Sequence, residues 1–403
     1  MRQLSNGMLV IFKRVTTNNI LAMDCLINIG SLYEDSDDNG ITNFVQEVIL
    51  KGTKHRSAVQ IAREMESIGG LLGTNAAEDF AEVSTVTTTE DLDTALDIMS
   101  DVLLHPTFPP EEVEKERQLI LAHINLQEDD KFAYTYKKFR ETLYEGHTYA
   151  NPVEGTPKTV TVLTRDALQE FHRRYWVPAN MTLTVVGNFD EEELLGRLNV
   201  AFGKKPTSSP TKVISSKTFL PRYKSKILKK KVEQSFIILG YLTVSVDSPD
   251  YPALKVASAI LGEGMSSRLF QRLREAQGLA YNVGCAMPTR LRHSHIFAWI
   301  GTNPDTTDAA REGLIKQFEL LASEPVTDEE LNRAKNYLIG KFLIDHQTNL
   351  RQAWYLGWFQ LLGVGYDFDK RYPELIRQVT KDDVLRVART YFTKPTVAVL
   401  TPP

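Results

Sequence analysis

Cysteine is nearly absent from this chain of 403 residues: only Cys25 and Cys285 occur. They fall in two apolar, strand-like segments far apart in sequence, so a disulfide framework is excluded and two buried free thiols are expected. No apolar run approaches the roughly 18 residues of a spanning helix, so no membrane span is expected. Charge of one sign is lacking too. The formal net charge is −4, from 47 basic and 51 acidic residues interleaved throughout, and no basic face points to nucleic acid. The segment MRQLSNGMLVIFKRV enters a strand pattern at once, without the basic and apolar regions of an export signal. With Met1 as the true start, the expectation is a cytoplasmic protein, or a periplasmic one if an export signal was trimmed.

What is present is globular: 42% apolar and 24% charged residues. The length exceeds one ordinary core and predicts two to four domains or repeats. Residues 7 to 33 alternate apolar and polar, as a pair of strands does. After the turn-rich EDSDDNG, Ile41, Phe44, Val45, Val48 and Ile49 recur at helical spacing. A second helix is expected over Ala58 to Ile68, stopped by Gly69 and Gly70. Further helices are expected over 90 to 104 and 110 to 127, the latter opening at PPEE, and then near 131 to 144 and 164 to 175. The strand MTLTVVG and a helix from Glu191 close this half.

Around the midpoint, GKKPTSSPTKVISSK is rich in Lys, Ser, Thr and Pro and reads as a linker. The order then restarts. Strand QSFIILGYLTV, turn SVDSPDYP and helix ALKVASAILG repeat the first half's DCLINIG, SLYEDSDDNG and ITNFVQEVIL. This gives an N-terminal domain over 1–205, a linker over 206–219 and a C-terminal domain over 220–403. The fold class is α+β: two duplicated domains, each a mixed, mainly antiparallel sheet with helices packed on one face. Duplicated halves suggest half of a clamshell with a substrate chamber.

Short motifs recur in a fixed order: NGMLV at 6–10, GSLYED at 30–35, LKGT at 50–53, and the long run GTPKTVTVLTRDALQEFHRRYWVPANMTLTVVGNFD at 155–190. LGEGMSSRLFQRLREAQGLAY at 261–281 and VTDEELNRAKNYL at 326–338 continue the series. By these motifs the chain resembles, over nearly its whole length, a bacterial member of the insulinase and pitrilysin family of inverted-motif zinc peptidases, the group that includes mitochondrial processing peptidase.

In active members, the resemblance implies, a helix carries H-x-x-E-H: two His one turn apart bind zinc, the Glu between them activates the metal-bound water, and a Glu from a later helix is the third ligand. The matching positions here are Asn43 for the first His, Gln46 for the base, Glu47 for the second His and His123 for the Glu. Every one departs from the pattern. Neutral Asn is a poor zinc ligand, and Gln46 has no basic oxygen with which to take a proton from water. No metal is therefore expected in this chain, and zinc is expected in a partner. Glu47 and His123 exchange the residue types of their positions, and a hydrogen-bonded ion pair between them is expected. The competing reading is a residual two-ligand metal site.

The other half of the family's site is present. In LREAQGLAY, Arg274 and Tyr281 lie seven apart and match the arginine and tyrosine pair that the resemblance implies binds substrate backbone and supports the tetrahedral intermediate. A phenol O–H can donate to a developing oxyanion, and a guanidinium offers a fixed fork of charged donors. Asn75, in GTNAAEDFAEV, matches a segment that in relatives lines the cleft and pairs with substrate as an edge strand. Glu78 and Asp79 there are read as a solvated turn, and His147, Tyr149 and His172 as packing residues. GEGMSS at 262–267 lacks the G-K-[ST] of a phosphate loop, which discards nucleotide binding.

One half-site lost and the other kept is what division of labour would produce. The expected function is the non-catalytic, substrate-binding subunit of a heterodimeric zinc endopeptidase, supplying Arg274 and Tyr281 to a homologous zinc-bearing partner that cuts peptides in a closed chamber. The alternatives are a scaffolding homologue, as the family's respiratory-complex core subunits are, a self-dimer that binds peptides without cutting them, and a peptidase with a rebuilt metal site.

Overall fold

The computed structural model describes residues 1–203, 207–210 and 223–403. Eleven strands are formed in the described residues: β1 (Arg2–Gln3), β2 (Leu9–Arg14), β3 (Ile20–Ile27), β4 (Leu71–Ala76), β5 (Ala81–Thr88), β6 (Met181–Gly187), β7 (Lys224–Lys229), β8 (Ser235–Leu242), β9 (Asn282–Ala286), β10 (His295–Thr302) and β11 (Thr396–Thr401). They build a six-stranded sheet, ordered β1-β2-β6-β3-β5-β4, and a five-stranded sheet, ordered β7-β11-β8-β10-β9. Most of the linker expected over 206–219 lies outside the described residues.

The duplication read from the element order is visible in the pairing. In the first sheet β2 runs parallel to β6, and every other neighbour is antiparallel. In the second, β7 runs parallel to β11 and the rest are antiparallel. Strand for strand, β2-β6-β3-β5-β4 repeats as β7-β11-β8-β10-β9. Each sheet is thus mixed and mainly antiparallel. Cys25 lies on β3 and Cys285 on β9, both free and buried.

The compact units are not contiguous halves of the chain. One comprises Met1–Asn125, the described part of Asn151–Ser215, and Asp345–Asp369, and the other comprises the remainder. The boundaries 1–205 and 220–403 give the order of the repeats along the chain, while packing exchanges two helices between them. In the first unit, Leu21, Met23, Cys25 and Ile27 of β3 face a core formed with the helices Ile41–Val48 and Leu92–Leu104. The opposite face is covered by a single helix from late in the chain, Asn349–Leu361, whose Gly357 approaches Leu26 and Thr184.

In the second unit, Tyr241 of β8 packs on Phe318, from the helix Thr307–Ser323, and on Phe392, which directly follows the helix Lys381–Tyr391. The early helix Lys131–Leu143 covers the other face of that sheet. Its Phe132, Tyr136 and Phe139 pack on Phe236, Phe297 and His295. His295 is fully buried, and its two ring nitrogens each lie 2.9 Å from a phenol oxygen, of Tyr136 and of Tyr144. Among the described residues, no helix is long and apolar enough to cross a membrane.

Candidate active-site positions

The start of the helix Ile41–Val48 is fixed by backbone geometry and a buried acid. Gly40 precedes it with φ +98°, and a side chain there would collide with the backbone of Glu154 and Gly155. Only glycine meets both demands. Glu34, from the GSLYED motif, is buried and accepts the backbone N–H groups of Gly40 at 2.8 Å and Thr42 at 2.9 Å. An acidic group here meets the positive end of the helix and its unpaired donors. Burial lifts the Glu34 carboxyl above its ordinary range, and these hydrogen bonds act against that rise. Ile41, Phe44, Val45 and Val48 all face the core, which leaves Asn43 and Glu47 on the opposite side.

Asn43, Glu47, Asn75 and His123 line one cavity of about 600 Å³ within the first unit. His123 arrives on the long helix Pro110–Asp129, and Asn75 on β4, the edge strand of its sheet. The four sequence positions are therefore brought together by three elements. Four acidic residues line it, Glu47, Glu78, Glu116 and Glu154. Burial lifts the Glu47 carboxyl above its ordinary range and the charge of Glu116 lifts it further, while Lys51 and His123 pull it back. Glu116 is itself held by Lys51 across 2.8 Å.

Gln46 does not face the cavity's open side. It is buried, and its side-chain amide donates to the backbone carbonyls of Asn75 at 3.0 Å and Glu82 at 2.9 Å. Asn75 and Glu82 are partners across the β4-β5 hairpin. The position that the resemblance matches to a general base is here a peg between helix and hairpin. A carboxylate cannot donate, so this geometry requires an amide.

These residues do not fit a catalytic zinc. Asn43 and Gln46 offer neutral amides, and Gln46 is committed to two carbonyls. Among the described residues, no three His, Cys, Asp or Glu ligand atoms lie within 4.8 Å of one another at this cavity. Three protein ligands and one open position are what hydrolytic zinc needs.

In the second unit, Arg274 is the penultimate residue of a π-helical turn, Phe270–Glu275, a geometry frequent at functional sites. Its guanidinium stacks 4.7 Å from the centre of the Phe270 ring and its side chain is 44% exposed. Gly278, at φ +63°, turns the chain back, and the N–H of Leu279 bonds the carbonyl of Leu273 at 2.9 Å. Tyr281 is fixed through its backbone N–H on the Gly301 carbonyl at 3.0 Å, directly before the edge strand β9. Its side chain is 62% exposed. A large aromatic held by its backbone and this exposed is not packed as core.

Other positions resolve plainly. Glu78 and Asp79 are buried, 8% and 2% exposed, which corrects the solvated turn expected there. The hairpin tip folds against Gly30, where an added Cβ would meet the carbonyls of Ala77 and Glu78. His147 Nδ1 accepts the backbone N–H of Tyr149 at 3.0 Å, and His172 Nε2 meets the Leu103 carbonyl at 3.0 Å, both buried. The sequence reading missed Glu116 and the capping role of Glu34. Glu116 lies seven residues before His123 on one helix, two turns along the same face, a spacing that was available to find it.

Two domain profiles of one family match the chain: "Insulinase (Peptidase family M16)" over residues 9–157 and "Peptidase M16 inactive domain" over residues 163–338. The chain belongs to this insulinase family of peptidases. Among its relatives, an uncharacterized zinc protease of Rickettsia felis is 28% identical over 407 residues, spanning 100% of this chain and 97% of the relative. One of Bacillus subtilis is 26% identical over 391 residues, spanning 96% and 94%. A protease from Helicobacter pylori has the same fold, with a TM-score of 0.92 at 22% identity over 100% of this chain and 98% of its own. A peptidase M16 inactive domain from Pseudomonas fluorescens gives 0.93 at 20% identity over 100% and 98%.

Proposed function

We propose that this chain is the non-catalytic subunit of a two-chain zinc endopeptidase. It contributes Arg274 and Tyr281 to peptide binding and transition-state support, while a homologous chain bearing H-x-x-E-H holds the zinc. The observation that carries the reading is Gln46: the general-base position donates to two backbone carbonyls and is closed to proton abstraction. The exposure of Arg274 and Tyr281 supports the second half of it. In this reading Glu47 and His123 form an ion pair in the vacated cavity. Its acidic lining and the neighbouring edge strand β4, with Asn75, receive part of an extended peptide.

Reconstitution tests the proposal. The chain is mixed with its H-x-x-E-H homologue, and cleavage of an unstructured peptide is followed with either chain alone as control. Cleavage is expected only from the mixture. Tyr281→Phe should lower turnover by about 10²-fold, as loss of an oxyanion donor does, with complex formation and partner zinc unchanged. Wild-type turnover in that variant would remove Tyr281 from the mechanism. Equal activity of the zinc-bearing homologue alone would favour the scaffolding alternative.

A further inference from the structure

Away from the cavity just described, His55, Asp101 and His105 bring one ligand atom each into a single cluster. The three atoms lie within 4.8 Å of one another. Asp101 lies in the last turn of the helix Leu92–Leu104, His105 follows that helix directly, and His55 sits in the loop after LKGT. The Lys54 N–H bonds the His105 carbonyl at 2.9 Å, and Thr53 Oγ accepts the N–H groups of His55 at 3.2 Å and Arg56 at 2.9 Å. Loop and helix end are thus fixed to each other by backbone before any side chain is considered.

Asp101 is 4% exposed and uses only half of its carboxylate. Oδ2 accepts from Thr53 at 2.6 Å and Arg56 at 3.2 Å. Oδ1 is buried with no hydrogen-bond partner, and so is His105 Nδ1. Oδ1 faces His105 Nδ1 at 3.5 Å and His55 Nε2 at 3.9 Å. Charge-assisted hydrogen bonds between these groups would be about 2.8 Å long, so the imidazoles stand off from the carboxylate. Donors around a tetrahedral zinc, at about 2.0–2.2 Å from the metal, are about 3.4 Å apart. The two spacings approach that figure, and the His55 side chain, 65% exposed, is free to close the remaining gap.

The local charge agrees. Arg56 is the cation of three carboxylates, Glu64, Asp97 and Asp101, so the cluster carries an excess of negative charge that a divalent ion offsets. Two imidazoles and one carboxylate suit zinc-class transition metals and disfavour calcium or magnesium. We infer that His55, Asp101 and His105 form a binding site for a divalent transition metal, with water in the fourth position, that staples the His55 loop to the end of the helix Leu92–Leu104.

The test uses the full chain, stripped with chelator and titrated with Co²⁺ alone, and read by visible d–d absorption. One equivalent of tetrahedral Co²⁺ is expected, displaced by Zn²⁺, and saturating Zn²⁺ should raise the melting temperature by about 5 °C. His55→Ala, at an exposed position, should abolish both signals and leave the metal-free melting temperature unchanged. A double variant, Glu47→Ala with His123→Ala, should retain both. No Co²⁺ spectrum, or one that survives His55→Ala, overturns the assignment. A spectrum lost in the double variant places the metal in the cavity instead. None of these outcomes depends on whether a partner subunit exists.

Discussion

Replacing Gln46 with the glutamate of active relatives should destabilise the chain rather than awaken it. The amide of Gln46 donates at 3.0 and 2.9 Å to two backbone carbonyls in a site only 2% exposed. Each such bond contributes about 1 kcal/mol net. In Gln46→Glu both are lost, and a buried carboxylate faces two acceptors, which adds about 1–3 kcal/mol. The sum is about 4 kcal/mol at pH 7. At roughly 2–4 °C per kcal/mol for a unit of this size, the melting temperature falls by about 8–16 °C. Gln46→Met, which keeps the volume and removes the bonds, isolates the difference and should cost about 2 kcal/mol.

The pH dependence separates charge from shape. Burial among carbonyls raises the folded-state pKa of the introduced carboxyl above its unfolded value. Its stability contribution is then fully present below the unfolded value and is lost as pH rises through the folded one. Gln46→Glu should therefore approach wild type at pH 4 to 5, where a protonated carboxyl regains one donor, while Gln46→Met shows no such recovery. Urea unfolding at both pH values measures this. If Gln46→Glu unfolds at the wild-type urea concentration at pH 7, the amide is not a peg. The position would then be open for a base, and the proposed division of labour would lose its main support.

Other perturbations have directions of their own. Arg274→Ala should raise KM in the reconstituted enzyme while leaving the chain's melting temperature unchanged, since the guanidinium is exposed; unchanged KM and kcat would remove it from substrate binding. Arg268 and Glu330 form a two-pronged pair at 2.6 and 2.9 Å, and Arg268→Ala should cost about 3 kcal/mol in urea unfolding. Burial pushes the Glu330 carboxyl up, but Arg268 and the Thr327 N–H outweigh it and hold it at about 2. The pair's contribution is thus present above pH about 4.5 and lost as pH falls towards 2, and Arg268→Ala should flatten that part of the profile. Burial lowers His172 from 6.5 to about 4. Stability from its neutral form is present above pH 6.5 and declines by about 3 kcal/mol down to pH 4. His172→Gln, which keeps a donor for the Leu103 carbonyl, should remove that slope, and an unchanged slope would refute the assignment.

Period and punctuation carried most of the secondary structure into view. Ile41, Phe44, Val45 and Val48 mark one helix face without ambiguity, and Gly69 with Gly70 ends the next helix as expected. The exchange of the helices Lys131–Leu143 and Asn349–Leu361 was not legible, because an apolar stripe says that a face is buried and not which sheet buries it. Phe132, Tyr136 and Phe139 would serve either sheet equally well on pattern alone. The burial of Glu78 and Asp79 was hidden for a related reason: two acids in a hairpin tip read as solvated until Gly30 is seen against them. At the matched site, residue identity raised the expectation that zinc chemistry is absent, because Asn43 and Gln46 offer only neutral amides. Only coordinates could show that Gln46 had acquired a different task.

The repeated topology puts different groups at the same position of the two units. In each unit the helix after the β3 or β8 strand lies against the strands at the sheet's edge. In the first, Asn43 and Glu47 stay open to a cavity of about 600 Å³, and contact with the hairpin is made by the Gln46 side chain. In the second, the helix Tyr251–Gly262 meets β9 backbone to backbone: a Cβ on Gly262 would lie 2.2 Å from the Cys285 nitrogen. Tyr251, Leu254, Ala257, Ser258 and Leu261 are all buried there. Gly262→Ala should accordingly unfold the second unit or displace β9, and with it Tyr281, whereas an alanine at Asn43 should be tolerated. If Gly262→Ala folded normally and left Tyr281-dependent turnover intact, the sealed helix would not be what holds the Arg274 and Tyr281 turn in place.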